Sequence, residues 1–148
     1  MDAVDRSILN EIQSDFPISA RPYRDLGKRL NLSEKEILDR VKALKAEGII
    51  RRIGGNFNSR MLNFKSTLCA AKVPEEKLDE FVRAVNGHPG VTHNYLRNHE
   101  YNVWFTFIAP SMASIEKALQ EIRKATGVTD ILNLPALRTF KIKVDFDV

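Results

Sequence analysis

The chain is short of cysteine, histidine and long apolar runs, and each shortage excludes something. Cys69 is the only cysteine, so no internal disulfide can form, and a reducing compartment is expected. It sits in the apolar stretch TLCAAKV, which predicts a buried structural thiol. No apolar run approaches ~18 residues, so nothing is expected to span a membrane. The opening MDAVDRSILNEI is acidic and amphipathic, without the basic-then-apolar layout of a secretion signal, and a cytoplasmic location is expected. Charge of one sign is scarce as well: 23 basic against 19 acidic residues leave a net +4. The localised basic excess that usually marks a DNA-binding half is missing. Three dispersed histidines and one cysteine give no ligand spacing, so no metal site of the protein's own is expected.

What is present falls into two halves with different periods. In residues 1–60, Val4, Ile8, Leu9 and Ile12 recur on one helical face, and Pro17 ends that pattern. A second helix is expected from Pro22, burying Leu26 and Leu30. After the turn at Asn31-Leu32, Ser33 and Glu36 form a capping-box pattern for a third helix lined by Ile37, Leu38, Val41 and Leu44 and stopped at Gly48. This predicts a winged helix-turn-helix, with IIRRIGGNF as the wing strand. Residues 61–148 read β-α-β-β-α-β: STLCAAKV, PEEKLDEFVRAVNG, THNYLR, NVWFTFIA, SMASIEKALQEIRKATG and LPALRTFKIKVDF. That order is the ferredoxin-like split motif, so the fold class is α+β.

One stretch stands apart. THNYLRNHEYNVWF, residues 92–105, holds His93, Tyr95, Arg97, His99, Tyr101 and Trp104. Alternation along a strand puts His93, Tyr95 and Arg97 on one face, with His99 in the turn at its edge.

A helix-turn-helix followed by this sandwich resembles the Lrp/AsnC family, on LSEKEILDRVKALKAEGII (32–50) and HEYNVWF (99–105). Those regulators carry Gly-x-x-Asp in the hairpin as part of an effector site at a subunit interface. Here His99 stands at the glycine place and Asn102 at the aspartate place, which argues against amino-acid sensing. The third helix opens Ser33-Glu34-Lys35-Glu36, and two carboxylates there would repel phosphates, so specific DNA binding is not expected. The segments GIIRRIGGNFN (48–58) and HNYLRNHEYNVWFTF (93–107) are similar to those of the siroheme decarboxylases, a branch of the same superfamily.

That resemblance implies an enzyme that takes CO₂ from two acetate side chains of siroheme, giving didecarboxysiroheme on an alternative route to haem. It implies a paralogous subunit as heterodimer partner, or a homodimer, and no cofactor beyond the iron that the substrate itself carries. His99 and His93 are then the candidate proton donors, either of which could instead ligate the substrate iron, and Tyr95 orients the acetate. Arg97, Arg51, Arg52 and Arg138 are candidates for ring carboxylates that stay, and Asn102 and Trp104 for further substrate contacts. The competing reading is a DNA-binding regulator that senses a small ligand or haem.

Overall fold

The computed structural model describes residues 1–55, 57–141, 146 and 148. The chain divides into two units, Met1–Gly55 with Lys141–Val148, and Asn56–Phe140.

The first unit is built on three helices, α1 (Ala3–Ser14), α2 (Pro22–Leu30) and α3 (Glu34–Ala46). Asp2 and Asp5 close a reciprocal capping box at the start of α1, each side chain accepting the other's backbone N–H at 2.8 Å. Pro22 occupies the first turn of α2, where its missing N–H costs nothing. The α2–α3 turn passes through Asn31 in the left-handed region (φ 56°). It runs so close to Gly27 that a Cβ there would lie 2.5 Å from the Leu32 carbonyl oxygen. Ser33 caps α3 by accepting the Glu36 N–H (3.1 Å). The reciprocal bond expected from Glu36 is replaced by a contact to Arg40 one turn on (3.4 Å). Ile8, Leu26, Ile37, Val41, Leu44 and Ile50 form the core, with Val4, Leu9, Ile12 and Leu30 packed against it.

The expected wing is not a strand over residues 49–55. Ile50 turns into the core, and Gly54-Gly55 adds backbone freedom with no side chain to pack, which weakens a strand.

The second unit holds β1 (Lys65–Ala71), α4 (Leu78–Asn86), β2 (Val91–Leu96), β3 (Val103–Ala109), α5 (Met112–Thr126) and β4 (Ile131–Leu134). The strands lie in the order β2-β3-β1-β4, all neighbours antiparallel, as the ferredoxin-like reading requires. The last strand differs from the expected one. It is ILNL, ended by Pro135, which cannot donate to the ladder; residues 135–141 are not strand, and 142–145 lie outside the described residues.

Alternation along β3 buries Val103, Phe105, Phe107 and Ala109 against Phe81 and Val85 of α4 and Ile115, Leu119 and Ile122 of α5. Ser111 caps α5 through the Ser114 N–H (3.0 Å), and Gly127, at φ 68°, ends it. Burying the Phe105 side chain contributes roughly 1.5–3 kcal/mol. Among the described residues no helix is long and apolar enough to cross a membrane.

Candidate functional site

The helices cover one face of the sheet and leave the other open. A β-bulge decides what that open face carries. Val91 pairs with Phe107, yet His93 pairs with Thr106, so two residues of β2 advance against one of β3. Without the extra residue, His93 would share the core-facing side with Val91. With it, His93 and Tyr95 fall beside Thr106 and Trp104 on the open face, and Asn94 turns inward opposite Phe105. Gly90 makes the close approach possible: its carbonyl accepts the Ile108 N–H at 2.8 Å, and a Cβ there would meet the Ile108 oxygen at 2.3 Å.

From the bulge a row of rings and cations runs towards the β2–β3 hairpin. The His93 and Tyr95 rings stack with centroids 6.1 Å apart. The Arg97 guanidinium sits 6.0 Å from the Tyr95 ring centre and 5.9 Å from that of Trp104, cation–π distances that hold the arginine over aromatic surface. His99 meets Trp104 edge-on at 6.4 Å and stacks with Tyr101 at the same distance. Four of these five expected side chains, His93, Tyr95, Arg97 and His99, are exposed, and Trp104 is half-buried.

The hairpin is braced rather than loose. Trp104 Nε1–H donates to the Tyr101 carbonyl (2.6 Å), and the Tyr101 hydroxyl donates to Asp130 (3.1 Å). That bond, with some burial, holds the Tyr101 phenol above its ordinary titration range. Lys72 pairs with Glu100; the contact lowers the glutamate's titration and raises the lysine's. His99 Nδ1 accepts the Tyr101 backbone N–H at 3.1 Å, and His93 Nδ1 lies 3.0 Å from the Thr92 hydroxyl.

The Oδ1 and Nδ2 atoms of Asn102 both bond the backbone of Val73, so Asn102 shapes the hairpin. Arg51 and Arg52 belong to the helical unit, where they line a cavity of about 640 Å³ with Leu9, Ile12, Phe16 and Ile53. Arg138 lies over the Phe140 ring at 5.0 Å, outside any strand. Reasoning from sequence passed over Tyr101, Asp130 and Thr92. Thr92 and Tyr101 stood inside the aromatic-rich stretch 92–105, and the Tyr101 ring was the one available signal. Among the described residues no group of three His, Cys, Asp or Glu side chains is placed to hold a metal ion.

Residues 62–141 match the family described as the AsnC-like ligand binding domain, and residues 5–51 the one described as the siroheme decarboxylase NirDL-like HTH domain. A siroheme decarboxylase alpha subunit from Desulfovibrio desulfuricans is 60% identical over 99% of this chain and 84% of its own length. The crystal structure of siroheme decarboxylase NirDL in co-complex with an iron-uroporphyrin III analogue superposes with a TM-score of 0.71 at 33% identity over 95% of this chain. This chain spans only 48% of that protein, about half its length. An AsnC family transcriptional regulator from Agrobacterium tumefaciens superposes at 0.79 with 22% identity over 99% of the chain and 96% of its own, a likeness of fold alone.

Proposed function

The chain belongs to the siroheme decarboxylase family, and from that membership we propose that it is a decarboxylase subunit removing CO₂ from two acetate side chains of siroheme, giving didecarboxysiroheme. The observation that carries this reading is the row His93, Tyr95, Arg97, Trp104 and His99 on the open sheet face. A flat tetrapyrrole with carboxylates around its rim calls for aromatic surface, cations and proton donors together, and the row supplies all three.

Each turnover converts an acetate R–CH₂–COO⁻ and one proton into R–CH₃ and CO₂. The C–C bond breaks, its electron pair is held by the conjugated ring, and a C–H bond forms with a proton from a histidine of the row. No net oxidation occurs, so no redox partner is needed. Arg97 grips a carboxylate that stays on the ring. On the departing one its attraction would be lost as neutral CO₂ forms, which would raise the barrier.

The site belongs to the 61–148 domain, and the 1–60 helix-turn-helix serves assembly. A paralogous subunit, or a second copy, covers the apolar part of the open face, where Leu68, Leu132 and Leu134 are each between 36% and 42% exposed. The enzyme works in the cytoplasm. Anaerobic incubation of the assembled enzyme with siroheme, followed by mass spectrometry, tests the function: the expected product has lost two CO₂, and unchanged siroheme refutes it.

The regulator reading is favoured by the AsnC-like fold and opposed by charge placement. Glu34, at the start of α3, pairs with Arg21. Arg40 meets Asp2 and Asp5 at 2.8 Å, and Arg29 meets Asp15 at 2.7 Å. Cations engaged in this way are poorly placed to clamp phosphates. Tight, steeply salt-dependent binding to a duplex would restore that reading.

A further inference from the structure

The two histidines of the row make unlike hydrogen bonds through the same ring nitrogen, and that difference separates their chemistry. His99 Nδ1 faces the Tyr101 backbone N–H at 3.1 Å. A backbone N–H can only donate, so Nδ1 must accept, and the single ring proton of the neutral imidazole sits on Nε2. The arrangement is held from several sides. The Tyr101 ring stacks on His99, its hydroxyl is tied to Asp130, its carbonyl takes the Trp104 indole N–H, and the next residue, Asn102, is clamped to Val73 through its own side chain. In this geometry His99 Nε2 already bears hydrogen. It has no lone pair for iron, and the ring can take a second proton only by surrendering its bond to Tyr101.

His93 is free of that restriction. Its Nδ1 lies 3.0 Å from the Thr92 hydroxyl, a group that can donate or accept. The pairing therefore tolerates both the imidazole and the imidazolium. Thr92 is the extra residue of the bulge, so the same irregularity that turns His93 outward also provides its adaptable partner.

We propose that His99 serves as a fixed, neutral Nε2–H hydrogen-bond donor to a substrate carboxylate, and that His93 is the residue that supplies the proton. The inference rests on the decarboxylase reading above. In the proton step, imidazolium His93 gives its Nε2 proton to the methylene carbon. The new C–H bond uses the electron pair released from the broken C–C bond. His93 is left neutral, its remaining proton on Nδ1 and bonded to the Thr92 oxygen, and it recovers a proton from water at its exposed position.

Glutamine separates the roles, because its amide N–H can stand in for a fixed Nε2–H donor and cannot deliver a proton. In the assembled enzyme with siroheme under anaerobic single-turnover conditions, His99→Ala should be slow, while His99→Gln regains a rate within about tenfold of wild type. His93→Gln should be as slow as His93→Ala, both lower by ~10²–10⁴-fold, the usual worth of a general acid. The absorption spectrum of bound siroheme iron should be unchanged in both glutamine variants. A His99→Gln enzyme as slow as His99→Ala, an active His93→Gln enzyme, or an iron spectrum altered by either change overturns the assignment. If both alanine variants turn over at the wild-type rate, the histidines are not the proton source at all, and the reading of the site falls with it. Independently of turnover, a long-range ¹⁵N–¹H spectrum of the free protein should show His99 as the Nε2–H tautomer.

Discussion

Asn102 holds the backbone of Val73 at two points: its Oδ1 accepts the Val73 N–H at 2.9 Å, and its Nδ2 donates to the Val73 carbonyl at 2.8 Å. The side chain behaves as a short piece of strand, extending the β1–β3 pairing one step beyond Ala71 and Val103. Asn102→Ala leaves both groups of Val73 without a partner in a partly buried place. We expect a loss of ~1–3 kcal/mol, read as a lower urea midpoint with an unchanged slope. Asn102→Asp keeps the acceptor and loses the donor, and it should fall between the two. A neutral Asn102→Ala would show that the clamp contributes nothing to the fold.

Gly90 should tolerate no side chain. A Cβ there meets the Ile108 oxygen at 2.3 Å and the Phe107 ring at 2.7 Å, a clash with backbone that no rotamer relieves. Gly90→Ala should cost ~1–3 kcal/mol, as overpacking generally does. It should also slow decarboxylation below the melting temperature, because relieving the clash disturbs the bulge that presents His93. Thermal melts and turnover on the same sample check both parts. A variant with wild-type stability and rate would sever the bulge from the site.

Much of the fold was legible because burial repeats at short range. Ile8, Ile37, Val41 and Leu44 lie on periodic faces, and each is buried where the period places it. The fourth strand was misplaced because ILNL is only four residues long, while the run after Pro135 alternates more persuasively. Along VWFTFI the same alternation divides the run, with Val103, Phe105 and Phe107 towards the helices and Trp104, Thr106 and Ile108 on the open side. Of the site, the residue types were visible and their commitments were not. Asn102 answers to a backbone 29 residues away, and Tyr101 to Asp130, also 29 residues on. The bulge at Thr92 leaves no mark in the hydrophobic pattern, although it determines the face on which His93 stands.

Cys69 should be unreactive in the native protein. Its side chain is fully buried, and burial, reinforced by the charge of Glu116, pushes the thiol from 9.0 up to about 12. A thiol raised on folding lends stability that is fully present below its unfolded value and is lost as pH climbs from about 9 towards about 12. At pH 8 a thiol-labelling reagent should therefore leave the folded chain untouched and modify it fully in denaturing urea. Rapid labelling without denaturant would contradict the buried position.

Arg97 should matter for holding the substrate more than for transforming it. Its guanidinium lies against both Tyr95 and Trp104, exposed on its outer side, with its planar fork free to take a carboxylate in two parallel bonds. A carboxylate that remains on the ring keeps the same charge in the ground state and the transition state, so this grip strengthens both about equally. Removing it should raise KM and leave kcat nearly unchanged, the pattern of lost uniform binding. Hydrogen bonds to charged groups contribute roughly 1.5–3 kcal/mol, which corresponds to a rise of about 10- to 100-fold for Arg97→Ala. Arg97→Lys keeps the charge but loses the fork and the flat contact with the rings, and it should lie between the two. Steady-state kinetics on siroheme, with direct titration of the bound ring, distinguish the outcomes. A rise in kcat alongside the raised KM would place Arg97 on the departing carboxylate, whose ground state it would then have been stabilising, and the assignment of roles along the row would have to be reversed.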